Sequence, residues 1–127
     1  MTPEIVNDAI AQIKFNDQGL VPAIAQEVKT GAVLMMAWMN ADAVRMTLET
    51  GDVTYWSRSR GELWRKGATS GNLQKMIAFR IDCDGDTLLL EVEQQGPACH
   101  TGERTCFFQA VTDEGLVHLP PEQQGPK

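Results

Sequence analysis

Histidine occurs only twice in this 127-residue chain, cysteine three times and tyrosine once. Long apolar runs are missing: the longest, residues 32–39, falls far short of the ~18 residues a membrane span needs. The first residues (MTPEIVND) offer neither the basic stretch nor the apolar core of a secretory signal. A cytoplasmic address and no membrane partner are therefore expected. Positive charge is short as well, with 11 Lys and Arg against 17 Asp and Glu, a net charge of −6. That balance argues against a nucleic-acid polymer as partner. Neither a Gly-x-Gly-x-x-Gly nor a Walker pattern is present, so no nucleotide cofactor of those classes is implied. No internal repeat or linker breaks the chain, and its length predicts a single domain over 1–127.

Periodicity predicts an α+β, strand-dominated fold. A helix is expected over 3–14, where Ile5, Val6, Ala9, Ile10 and Ile13 recur at helical spacing behind Thr2 as N-cap. Residues 20–28 alternate as a strand, residues 32–39 read as a fully buried strand, and the Lys-Thr-Gly turn between them makes a hairpin. Asn40 caps a second helix over 41–50, which Gly51 ends. Further strands are expected at 52–57, 73–82, 87–95 and 106–111, with a polar loop over 58–71. The tail 119–127 has no pattern and is expected to be flexible.

The three cysteines, Cys83, Cys99 and Cys106, fall in the second half with the spacing Cys-x15-Cys-x6-Cys. An odd count in a cytosolic chain argues against a disulfide framework and for metal-binding or catalytic thiols. By spacing alone the zinc signal is weak, because no Cys-x-x-Cys pair is present. Three buried, inert thiols are the plain alternative. Cys83 lies within Asp82-Cys83-Asp84-Gly85-Asp86, and Cys99 is followed by His100.

In an extended segment Asp82, Asp84 and Asp86 share one face, with Cys83 on the other, at roughly 6–7 Å between alternate residues. They converge on one small ion only if the chain bends, which Gly85 permits. Clustered carboxylates repel one another unless a cation neutralises them, and Mg²⁺ is the natural choice. A calcium EF-hand is rejected, because its sixth position would be Thr87 where the turn requires Gly. An acidic hairpin turn without metal stays open as a reading.

Six of the eleven basic residues (Arg58, Arg60, Arg65, Lys66, Lys75, Arg80) fall between positions 58 and 80, against one acid, Glu62. With the neighbouring hydroxyls and glycines they suit phosphate oxygens of a small anionic ligand, or else form a solvated face. Trp56 and Trp64 can stack on a base or fill the core.

Several of these segments in order resemble the phosphoribosyl-AMP cyclohydrolase family. They are residues 35–40 (MMAWMN), 55–67 (YWSRSRGELWRKG), 69–72 (TSGN), 82–86 (DCDGD), 96–102 (GPACHTG) and 106–108 (CFF). The resemblance covers roughly 19–111. It implies a mixed sheet or pseudobarrel with one or two helices, assembled as an intertwined homodimer with active sites between subunits. It implies zinc held by Cys99 and Cys106 of one chain and Cys83 of the other, and magnesium held by Asp82, Asp84 and Asp86. The implied substrate is 1-(5-phosphoribosyl)-AMP. Zinc-activated water would open its adenine ring between N1 and C6, giving the phosphoribosyl-formimino-aminoimidazole carboxamide ribotide, the third step of histidine biosynthesis. Arg58, Arg60 and Lys66 match the family's basic loop and are the candidates for gripping phosphates, with Ser70 and Gly71 adding donors. His100 is the candidate proton shuttle, whereas His118 lies outside the matched segment and reads as incidental. Some relatives carry a fused pyrophosphohydrolase domain, and that activity is expected to be absent here. Two other readings stand beside this one. One is a noncatalytic zinc-stabilised nucleotide-binding module; the other is a magnesium phosphohydrolase whose thiols are bystanders.

Overall fold

Both helices begin where a side chain satisfies a free backbone N–H. Thr2 Oγ1 accepts from Ile5 N at 3.3 Å and Asn40 Oδ1 from Ala43 N at 2.8 Å. The computed structural model describes residues 1–124. Its elements are α1 (Pro3–Gln12), β1 (Val21–Glu27), β2 (Val33–Met39), α2 (Ala41–Thr50), β3 (Thr54–Ser57), β4 (Glu62–Arg65), β5 (Gln74–Ile81), β6 (Leu88–Gln94), β7 (Gln109–Thr112) and β8 (Gly115–His118). A 3₁₀ turn, Pro121–Gln123, follows. Of the tail 119–127, residues 125–127 lie outside those described. No helix among the described residues is long and apolar enough to cross a membrane.

Six strands form one mixed sheet in the order β4-β3-β2-β1-β6-β5, and β7 and β8 pair separately. β1 runs antiparallel to β2 and parallel to β6. The sheet curls until the segment before β3 reaches the start of β5. Met76 N donates to Gly51 O at 2.8 Å, Val53 N donates to Gln74 O at 3.0 Å, and Asp52 bridges Lys75. The result is the strand-dominated α+β half-barrel that the family resemblance implies.

Alternation sets the core. Val21, Ala23 and Ala25 of β1 and Leu88, Leu90 and Val92 of β6 are buried with Ala43, Val44 and Leu48 of α2. Among the described residues no helix lies over the other face of the sheet. There Ile24 stands in register with Met36 and with Leu89, and Met36 is 45% exposed. The expectation that β2 is fully buried is therefore corrected, since Val33 is also 45% exposed. An apolar run fixes a strand but not how many of its faces are covered.

Two boundaries also move. The expected loop over 58–71 contains β4, which pairs with β3 through Tyr55↔Trp64 and Trp56↔Leu63. Four residues among charged neighbours are too few to show alternation. The strand expected over 106–111 begins only at Gln109, because Cys106 N is spent on Leu34 O at 2.7 Å. Its hairpin partner, β8, is an additional strand.

The end of α1 meets the turn between β5 and β6. Lys14 N donates to Gly85 O at 2.7 Å, and a Cβ built on Gly85 would lie 2.6 Å from Gln12 O. Gly85 also has φ +80°, as does Gly51, whose Cβ position is open. Gly51→Ala is expected to lose the ~1–2 kcal/mol of a left-handed non-glycine residue. Gly85→Ala should lose more, because backbone must move as well. Urea unfolding of the two variants checks the order; equal losses would refute the backbone contact.

Candidate active site

The turn between β5 and β6 folds around Asp82. Asp82 Oδ1 accepts from Asp86 N at 2.9 Å and Thr87 N at 3.2 Å, while Gly85 N donates to Asp82 O at 3.1 Å. This bend brings oxygens of Asp82, Asp84 and Asp86 within 4.8 Å of one another. All three are exposed. Desolvation works against the Asp82 carboxylate, yet the hydrogen bonds from Asp86 and from the backbone N–H groups hold its pKa below the ordinary value. Asp86 moves the other way, raised by its hydrogen bonds and charge interactions with Asp84 and Asp82. Three converging carboxylates that repel one another are a donor set suited to a small, hard divalent cation. Cys83 is exposed on the same turn.

The second cluster lies at the far end of β6. Cys99 and Cys106 stand within hydrogen-bonding reach, and Thr101 Oγ1 donates to Cys99 Sγ at 3.0 Å. Desolvation opposes the Cys99 thiolate, but hydrogen bonds from Thr101 and Cys106 and the Lys66 charge bring its pKa down. Burial, followed by the Cys99 charge, pushes Cys106 up to about 11. A thiolate on one sulfur thus disfavours a thiolate on the other, a repulsion that a soft cation bound to both would relieve. In donor type the pair fits zinc, and the acidic turn fits magnesium.

Lys66 comes from the end of β4 and is 7% exposed. Its Nζ donates to Ala98 O and lies 5.4 Å from the Trp64 ring centre. Burial lowers its pKa, and the two thiols counter that by favouring its charge. Beneath it Tyr55 is fully buried and donates to Gln74 Oε1 at 2.8 Å. Burial followed by the Cys106 charge raises the Tyr55 pKa, so the phenol stays neutral.

A cavity of about 460 Å³ opens here, lined among others by Arg60, Trp64, Lys66, Ser70, Cys99 and His100. These six residues, all singled out from the sequence, therefore meet at one place. Arg58 and Gly71 stand outside that lining. The Arg58 guanidinium lies 4.8 Å from the Trp38 ring centre, and Gly71 N closes a turn onto Gly67 O at 2.8 Å. Asn72, also in the lining, was not foreseen as a site residue. A Cβ on Gly67 would lie 2.4 Å from Asn72 C, and one on Gly96 would lie 2.3 Å from Asn72 Oδ1. Two glycines thus leave room for this one side chain and its backbone. Their isolated positions in the sequence were the available signal.

Cys83 does not join the thiol pair. It precedes β6 and Cys99 follows it, and seven residues of strand span roughly 20 Å between first and last Cα. Among the described residues, the one group of three or more His, Cys, Asp or Glu with converging ligand atoms is the Asp82, Asp84 and Asp86 cluster.

The family described as phosphoribosyl-AMP cyclohydrolase matches residues 35–108. A protein of that name from Micrococcus luteus is 64% identical over 121 residues, 95% of this chain and 92% of its own length. One from Paramagnetospirillum magneticum is 62% identical over 117 residues, covering 92% of this chain and 89% of the relative. A third, from Acidiphilium cryptum, is 59% identical over 115 residues, 91% of this chain and 99% of its own. The matched stretch contains the acidic turn, the basic strand pair and both members of the thiol pair, and this chain belongs to the phosphoribosyl-AMP cyclohydrolase family of enzymes.

Proposed function

We propose that this chain opens the adenine ring of 1-(5-phosphoribosyl)-AMP by hydrolysis between N1 and C6, as a homodimer using zinc and magnesium, in histidine biosynthesis. The observation that carries the reading is Cys99, with Cys106 within hydrogen-bonding reach of it, on the wall of a cavity that also holds Arg60, Ser70 and His100. Zinc bound at the thiols would supply a Lewis acid that makes water a nucleophile near neutral pH. Cys99 and Cys106 would hold it, and Asp82, Asp84 and Asp86 would hold magnesium.

The chain's own groups do the rest. Arg60 and the Ser70 hydroxyl face the cavity and suit phosphate oxygens. Lys66 keeps two N–H donors beyond the one given to Ala98, and its charge offsets that of the thiols. Arg58, beside the cavity, adds charge at its approach, and Gly71 shapes the turn that presents Ser70. Water oxygen becomes the carboxamide oxygen at C6, the N1–C6 bond breaks, and N1 takes a proton. His100, which lines the cavity and is exposed, would carry that proton.

The partner subunit enters because one chain separates its thiols. The uncovered face bearing Ile24, Met36 and Leu89 continues into an apolar cleft of about 290 Å³ that shares Asp82 and Thr87 with the acidic turn. A second copy seated there would lie beside Cys83, which supports donation of that thiol across the interface.

The test supplies purified protein with substrate and both metals and follows the ultraviolet spectrum as the purine opens. Turnover should vanish on chelation and return with zinc. An unchanged spectrum from a protein that still retains zinc would overturn the enzymatic reading in favour of a noncatalytic nucleotide-binding module.

A further inference from the structure

His118 and Gln124 lie beyond the family-matched residues 35–108, and nothing in the proposed chemistry uses them. Both nevertheless converge on Glu103, in the middle of the segment that carries Cys99 at one end and Cys106 at the other. His118 Nε2 and Glu103 Oε1 are 2.7 Å apart, and Gln124 Nε2 donates to Glu103 Oε2 at 2.6 Å. The same Gln124 amide donates to Leu119 O at 2.9 Å, and its Oε1 accepts from Thr105 N at 3.4 Å. Gln124 is 3% exposed, unusual for a glutamine near the end of a chain. The His118 ring also packs on Phe108, with ring centres 4.9 Å apart.

The segment needs such support because no regular structure holds it. Its two ends are tied differently. On the Cys106 side, Thr105 Oγ1 donates toward Val33 O and Leu34 O at 2.8 and 2.9 Å, and Cys106 N donates to Leu34 O. On the Cys99 side the segment closes on itself, through Cys99 N to Glu103 O and Ala98 N to Arg104 O, each at 3.1 Å. Lys66 Nζ also holds Ala98 O and Arg104 Nη2 donates to Thr30 Oγ1 at 3.3 Å, while Glu103, to which Cys99 N is bonded, is held by the C-terminal segment.

We infer that Glu103, His118 and Gln124 are positioning residues that set the placement of Cys99 relative to Cys106, so that the C-terminal segment tunes the thiol pair as a zinc site. This rests on the proposed zinc-dependent hydrolysis, but it concerns residues that touch neither substrate nor metal. Groups that orient metal ligands commonly change affinity or activity ~10–100-fold when removed.

The experiment compares the parent chain with His118→Ala, His118→Gln, Gln124→Ala and, as a control, Val6→Ala on the buried face of α1. Three quantities are read: zinc affinity by competition with a chromophoric chelator, the rate at which a disulfide reagent modifies Cys99 in metal-free protein, and kcat with KM. His118→Ala and Gln124→Ala should weaken zinc binding about tenfold or more. They should also speed Cys99 modification and lower kcat with little change in KM. His118→Gln supplies an amide N–H donor in place of the ring nitrogen and should recover most of the loss. Val6→Ala should lower the melting temperature without moving zinc affinity. Zinc affinity and Cys99 reactivity within twofold of the parent in both alanine variants would overturn the inference, as would losses that Val6→Ala reproduces at equal stability. If Gln124→Ala does not fold, the His118 pair decides. A parent that neither binds zinc nor turns over substrate sinks the proposed function instead, and the metal-free modification rates still judge the positioning role.

Discussion

Cys99→Ser is expected to eliminate zinc retention and catalysis together while the chain still folds. Serine nearly matches cysteine in volume, and its oxygen can keep the hydrogen bond from Thr101 that now reaches Cys99 Sγ at 3.0 Å. What it cannot provide is a thiolate. At neutral pH the hydroxyl stays protonated and is a poor zinc ligand. The fall in kcat/KM should exceed the ~100-fold that typically follows loss of a group merely orienting a ligand. Metal content, thermal unfolding and turnover measured on one preparation separate loss of the site from loss of the fold. Turnover within tenfold of the parent would make the thiols bystanders and return the magnesium phosphohydrolase reading.

Mixing two inactive variants should restore activity. In the proposed homodimer, Cys83→Ser and Cys99→Ser would each remove one thiol from every site. After random exchange of subunits about half the dimers are mixed. In a mixed dimer one of the two sites carries both substitutions and the other carries neither. About a quarter of the parent activity is therefore expected. The argument rests on the length of β6, whose seven residues keep Cys83 and Cys99 of one chain apart. It rests also on the apolar face that ends beside the acidic turn. A mixture that stays silent, after mass spectrometry has shown that subunits exchanged, would exclude a zinc shared between chains.

Some of this architecture was legible because its causes are local. Asn40 and Gly51 bracket α2 since one satisfies the Ala43 N–H and the other adopts φ +80°. The acidic turn was legible for the same reason, as Gly85 allows the bend that Asp82 then holds by accepting two backbone N–H groups. β4 was not, because a four-residue strand draws its stability from β3 rather than from its own pattern. Nor was the open face of β2: Met35 and Met36 are adjacent and both apolar, and only what packs on each face of the sheet decides which is covered.

The order and chemistry of the donors, three thiols, three carboxylates and a basic stretch, belong to the sequence alone, and with them the family. Which donors meet is a different matter. It depends on where strands end and what they pair with, through contacts between residues distant in the chain. β6 carries the acidic turn to one end of the sheet and the thiol pair to the other. The curl of the sheet brings Tyr55 to Gln74, beneath Lys66 and the thiols. His118 read as incidental because it lies outside the segment that resembles the family. Its bond to Glu103 exists only because the β7–β8 hairpin folds back on the segment between Cys99 and Cys106.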